Sequence, residues 1–322
     1  MKAVMCLAAP VIYALCASGA AYAQTYPVKP VRVIVPFPPG GANDIAARIV
    51  FPRLSELMGQ TFIIENRSGA GGTIGSSTVA QSKPDGYTLL IQTVASHVAN
   101  AHLYNKLPYD PLRDFVGVSP MGQVAAVLTV HPSMPTKSVK EFIDLAKRRP
   151  NEILNGHSGI GSFTHMNGVL FESRAGIQMT QVPFKGGGPA VIALVGGQTQ
   201  AQVAAISELI AYIKANRVRG LGVTTSARIP QLPDVPAIAD TIPGYESVTW
   251  VSVFAPAGTP KPLLDRLNAE IAKVLKDPAT IERLAAQTLD PAIRPAEELD
   301  KRTRTDYEII GKLYRQIGVK LD

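Results

Sequence analysis

The chain has 322 residues, 46% of them hydrophobic and 18% charged, the profile of a globular protein long enough for two domains rather than of a disordered one. A formal net charge of +7 suits acidic small molecules or an anionic surface, and it equally serves solubility. The lysines and arginines are dispersed with no long basic run, so nothing points to a nucleic-acid partner.

Residues 1–23 read as a secretory signal peptide. Met1-Lys2 is a short positive start, residues 3–20 are apolar and small, and Ala21-Tyr22-Ala23 is a cleavage site before Gln24. Both cysteines, Cys6 and Cys16, fall inside this leader. The exported chain is therefore expected to hold no disulfide, no thiolate nucleophile and no cysteine-bound metal. No later apolar run reaches the roughly 18 residues of a membrane span. The expectation is a protein exported to the periplasm.

The exported part opens on Val31-Arg32-Val33-Ile34-Val35, which reads as a buried strand of a parallel sheet. It stops at Pro36-Phe37-Pro38-Pro39-Gly40-Gly41. The prolines hold the chain extended, and the glycine pair permits a sharp turn. Asn43 or Asp44 is placed to cap a helix starting near Ile45. Strand, stiff loop and helix start is where an open α/β sheet places a ligand, with free N–H groups facing an anion. A purely structural turn is an equal reading. The spacing matches neither a P-loop nor a dinucleotide fingerprint. Pro52 predicts a kink or break in the helix.

Residues 61–66 form a second strand, and Gly69-Ala70-Gly71-Gly72-Thr73-Ile74-Gly75 opens the next helix. Residues 87–93 form a third strand, which delivers Val94-Ala95-Ser96-His97 to the same sheet edge. Residues 124–131 are another strand. Ser138 with Glu141 is a capping box for a helix running to Arg149. Residues 155–165 make a second glycine- and serine-rich turn before a helix over 166–174. Residues 182–189 make a third before a helix over 190–195. Strands over 200–205, 218–224 and 248–255 precede helices over 260–275, 278–286 and 296–316. Repeated βα units with glycine-rich turns predict a doubly wound sheet in two lobes. The chain would cross between them near Val124 and Trp250, and a ligand would sit between helix N-termini of both.

The side chains with possible chemistry are few. The five histidines, His97, His102, His131, His157 and His165, form no metal-binding pair. Gly156-His157-Ser158-Gly159-Ile160 falls one residue short of a nucleophile elbow, and no acid followed by a histidine comes later. Ser158, Ser162 and Thr164 read either as hydroxyl donors to a bound carboxylate or as helix caps. Asp44 reads as a cap or as a partner for a ligand ammonium. Lys185 is solvated or reaches an anion at its turn. Trp250 packs in the core or walls the cleft. No cofactor motif is present.

VPFPPGGANDIAAR, ENRSGAGGTIG, PDGYTLL, LPYDPLRDF, VHPSMPTKSVKEFIDLAK, GIGSFTHMNG, VPFKGGGPAV, LPDVP, APAGTPKPLLDRLN and the ending GVKLD together resemble the Bug family. These are the periplasmic solute-binding receptors of tripartite tricarboxylate transporters, and the likeness spans the exported chain in order. It implies an α/β, two-lobed periplasmic-binding-protein fold of the Venus flytrap type II, each lobe a mainly parallel sheet flanked by helices. Residues 24–124 and 246–322 would form lobe 1 and residues 125–245 lobe 2. The implied function is capture of a small carboxylate for delivery to membrane permease subunits by a monomer that is not an enzyme. A sensor subunit or an exported hydrolase is the alternative.

Carried over by position, the resemblance implies ligand contacts from Phe37, Gly40, Gly41 and Asp44 in the first loop. It adds Ser96 and His97 after the third strand, Gly161, Ser162, Thr164 and His165 in the second-lobe turn, and Lys185 with Gly186. Two departures stand out. Asn155-Gly156-His157 replaces the family's usual Tyr-Gly-Ser, placing the His157 imidazole near the pocket. Val203-Ala204-Ala205 replaces Phe-Asp-Asn, removing a carboxylate. The ligand expected from the second change is a carboxylate without an amino group.

Overall fold

The computed structural model describes residues 26–317. The leader, with its cleavage site and both cysteines, and the closing Gly318-Val319-Lys320-Leu321-Asp322 lie outside the described residues. The strands in chain order are β1 (Val31–Val35), β2 (Phe62–Asn66), β3 (Thr88–Thr93), β4 (Phe115–Val130), β5 (Leu154–His157), β6 (Thr180–Pro183), β7 (Ala201–Ala205), β8 (Arg219–Val223), β9 (Val248–Pro256) and β10 (Leu289–Pro291). The helices are α1 (Ala42–Met58), α2 (Thr73–Ala80), α3 (Val94–Leu103), α4 (Val139–Arg148), α5 (Phe163–Ala175), α6 (Gly187–Val195), α7 (Ile206–Lys214), α8 (Lys261–Lys276), α9 (Pro278–Ala286) and α10 (Ala296–Ile317).

Two half-sheets share one strand. In the first lobe β1 lies between β2 and β3, all parallel. β3 pairs antiparallel with β9, and β9 antiparallel with β4. In the second lobe β7 and β8 pair antiparallel with β4, and β5 runs parallel to both β6 and β7. The partner change falls within β4: Phe115 to Ala125 face β9, and Ala126 to Val130 face β7. Most strands of each half thus point one way, with a reversed crossing strand between them.

The apolar, β-branched run of β1 is buried at Val31, Val33, Ile34 and Val35, as a strand covered on both faces must be. One core cluster runs from β1 and α1 through β4 into α4 and α5. A second lies under α6 and α7, and a third joins Ile34, Leu90, Phe115 and Phe254. Trp250 is half-buried, packs against this third cluster and lies 5.5 Å beneath the Arg302 guanidinium. It is a packing residue rather than a cleft wall.

Several helix ends follow their sequence signals. Ser138 Oγ accepts from Glu141 N–H, while the Glu141 carboxylate accepts from Lys137 N–H, a capping box shifted by one residue. Asp277 caps α9 through Thr280 N–H, with Pro278 in its first turn. Two expectations fail. The expected break at Pro52 is absent, since helix α1 runs through it with Pro52 on the exposed side. The helix also starts at Ala42, with Gly41 as a bare N-cap, and neither Asn43 nor Asp44 takes that position. Among the described residues no helix is long and apolar enough to cross a membrane.

Candidate functional site

The first loop is braced by Asp44 at the third position of α1. Its carboxylate accepts from Gly40 N–H at 3.0 Å, Arg48 Nε at 2.9 Å and Asn66 Nδ2 at 3.0 Å. Burial alone would raise this carboxyl, but those hydrogen bonds together hold it below the usual carboxylate range. Asn66 Nδ2 also reaches Phe37 O, so β2 fixes the loop that follows β1. Asp44 is thus engaged by Gly40, Arg48 and Asn66, neither capping its helix nor standing free for a ligand ammonium.

The second-lobe turn leads from β5 into α5. Ser162 caps α5 by accepting from His165 N–H. Thr164 Oγ1 accepts from Ser158 N–H at 2.8 Å and lies 2.8 and 3.0 Å from the Ser158 and Ser162 hydroxyls. Among the described residues no imidazole nitrogen shares that network, so no base is aligned on the Ser158 hydroxyl. Thr93 caps α3, accepting from Ser96 N–H, with the two hydroxyls 2.6 Å apart.

These elements meet at one cavity of about 30 Å³, room for about two waters. Its walls are Phe37 and Pro38, the first turn of α1 from Gly41 to Asp44, Thr93 and Ser96 of α3, Ser158, Ser162, Phe163 and Thr164 around α5, Gly187 of α6 and Glu208 of α7. Helix starts from both lobes therefore converge. Each presents the positive end of its dipole. With hydroxyls added, the lining is a donor-rich seat for an anion.

The lobes touch tightly around the cavity. Gly186 has φ of +114°, and a Cβ there would lie 2.7 Å from Pro38 Cγ. Gly71 has φ of +61°, and a Cβ there would collide with the Ile160 carbonyl oxygen. Only glycine permits either approach.

Of the residues expected from sequence, Phe37, Gly41, Asp44, Ser96, Ser162 and Thr164 line the cavity. Gly40 supports it through Asp44. Gly161 N–H donates to His165 Nδ1 behind it, and Gly186 presses on Pro38. Lys185 is exposed and is not among the lining residues. His97 turns away. It is fully buried, stacks on Phe254 at 4.3 Å and pairs with Pro111 O, and burial holds it down to about 4. The structure places it in the core. His157 and His165 are also buried, with rings 4.7 Å apart and outside the lining. Burial lowers His157 to about 4; burial and then its neighbour lower His165 to about 3. Both are neutral at neutral pH and supply no cation.

Sequence reasoning missed Asn43, Thr93 and, above all, Glu208. Val203, Ala204 and Ala205 lie wholly inside the sheet, yet Glu208, less than one helical turn past them, returns a carboxyl to the cleft. Its stem is partly exposed, but Oε2 is sealed from solvent and without a partner, as is Asn43 Oδ1. The carboxyl accepts from Ala42 N–H, and burial raises it to about 7.

A larger hollow of about 530 Å³ opens beside α10. The arginine that lines it, Arg302, is committed to Asp306 and to Val248 O, so its cation is not free for an anion. Among the described residues no group of three or more His, Cys, Asp or Glu side chains could hold a metal ion.

Residues 46–319 match the sequence profile described as Tripartite tricarboxylate transporter family receptor. The chain is 35% identical to Protein BugT of Bordetella pertussis over 301 residues, 93% of this chain and 92% of that one. A Rhodopseudomonas palustris protein solved with adipate superposes with a TM-score of 0.87 at 34% identity, covering 92% of this chain and 99% of that chain. MatC of the same organism, with bound malate, gives a TM-score of 0.85 at 31% identity, covering 89% and 99%.

Proposed function

Because the chain belongs to the tripartite tricarboxylate transporter receptor family, whose members are solute-binding receptors rather than enzymes, we propose that it captures one small carboxylate between its lobes. It does so in the periplasm, after loss of a signal peptide, and as a monomer it hands the ligand to membrane subunits of a tripartite transporter. The observation that carries this reading is the convergence of helix starts and hydroxyls from both lobes on one buried cavity. A ligand gains both sets of contacts only when the lobes are closed, so binding draws them together. Helix starts contribute about 0.3–1 kcal/mol each at exposed sites and up to about 2 when partly buried. Several of them with charge-assisted hydrogen bonds reach the about −8 kcal/mol of a micromolar site.

The ligand favoured is a carboxylate without an amino group. A ligand ammonium would face the positive ends of the helices that line the cavity. Adipate and malate, found in the two relatives, are of this kind. Thermal-shift screening tests the reading. Succinate, adipate, malate, citrate or benzoate is expected to raise the melting temperature in proportion to log concentration, with aspartate and glutamate inert. Stabilisation by amino acids alone would overturn it.

A further inference from the structure

Glu208 is the one carboxyl group in the cleft that its own lobe does not neutralise. It stands in the first turn of α7 in the second lobe, yet its hydrogen bond comes from Ala42 N–H, the first residue of α1 in the other lobe. Its second oxygen, Oε2, is buried without a partner and sits where a Cβ on Gly187 would lie 2.6 Å away. One carboxyl thus joins helix starts of the two lobes, with its lone oxygen left against Gly187, like Glu208 a residue of the cavity wall.

No counter-charge approaches it. β4, β7 and α6 carry no ionisable side chain. The Asp44 carboxylate on α1 is held by Arg48, and Lys185 before α6 is exposed. His157 and His165 are neutral. Burial and the single amide set the carboxyl's environment, and together they leave it at about 7. A second carboxylate entering this small cavity would meet a like charge, unless one of the two carries a proton. Two carboxyls held close share one proton, because both cannot ionise.

We propose that Glu208 is the specificity-determining residue of the cleft: it donates its proton to the carboxylate of the bound acid, so each ligand enters together with one proton from solvent. The hydrogen bond runs from the Glu208 hydroxyl to a ligand carboxylate oxygen, and no covalent bond changes. A ligand ammonium would instead pair with ionised Glu208 and release a proton, so the sign of the pH dependence separates acids from amino acids. The proposal rests on the cleft being a carboxylate site.

The test is titration calorimetry on the mature protein with succinate, adipate, malate, citrate and benzoate between pH 7 and 8.5. Repeating it in two buffers of different ionisation heat counts the protons taken up. Affinity is expected to fall as pH rises, steepening to about tenfold per unit near pH 8.5, with proton uptake per ligand rising from about one half at pH 7 toward one. Glu208→Gln is expected to bind with a flat pH profile and no proton uptake. A flat profile or proton release in the native protein overturns the proposal while leaving a carboxylate receptor in place. Binding of none of the five acids removes both readings. The proton count on the native protein decides the matter even if the variant does not fold.

Discussion

His157 and His165 show how burial alone can disarm a titratable pair. Both rings are enclosed, and they crowd each other, so the folded protein binds their protons only near pH 4 and pH 3. The unfolded chain binds them near pH 6.5. Protons therefore favour the unfolded state from about pH 6.5 down to the folded values, and stability is lost as pH falls through that window. By pH 5 each histidine accounts for about 2 kcal/mol of that loss, as an order of magnitude. The stability gap between wild type and a His157→Asn, His165→Asn double variant is expected to narrow by a few kcal/mol from pH 7 to pH 5, read by denaturant melts. A constant gap would mean that the rings are already accessible to protons. Sequence could place both histidines in the turn, but not turn them inward. Which face of a four-residue strand is buried depends on what packs over it.

Helices that open directly from a strand, without a linker, mark the limit of legibility at the next scale. β1, β3 and β9 are legible because their runs are dense in apolar and β-branched residues. α3 was not read as a helix: its first seven residues are all buried, so it shows no polar face and no helical period. α7 was missed too. Its N-cap is Ala205, with no side-chain cap, and Glu208 went unread with it. The first half of β4 was hidden by Gly117, Pro120 and Gly122, where the ladder shifts register twice. Sequence did indicate that glycine-rich turns gather at the site, and their tight fit gives a test. Gly71→Ala adds about 1 kcal/mol of left-handed backbone strain in any state. Its collision with Ile160, which lies in the other lobe, is expected to be relieved when the lobes part. Ligand affinity is expected to drop at least about tenfold, about 1.4 kcal/mol, while the ligand-free melting point falls by only a few degrees. Equal losses in both would place Ile160 elsewhere in the open form.

At the scale of the molecule the lobes are joined by strands β4 and β9 and spanned by α10. That helix packs on α3, β4 and α5, and it ties itself down through Arg302 to Val248 O and through His102 to Tyr307 O. Bending is therefore expected where β4 changes partners, at Ala125 and Ala126. Solution scattering is expected to show the radius of gyration falling on saturation with a bound acid, with Gly71→Ala needing at least about tenfold more acid for the same fall. A radius unmoved by ligand in the native protein would mean that the lobes do not swing.

The shared crossing strand also governs how the polypeptide can be made. On one side Leu90 of β3 pairs early with Ile34 of β1, but on the other it pairs with Phe254 of β9, with the whole second lobe between them in the chain. A nascent polypeptide emerging from its amino end thus carries an uncovered sheet edge until nearly all of it has followed. Such a chain closes its sheet late, which suits the export proposed for it.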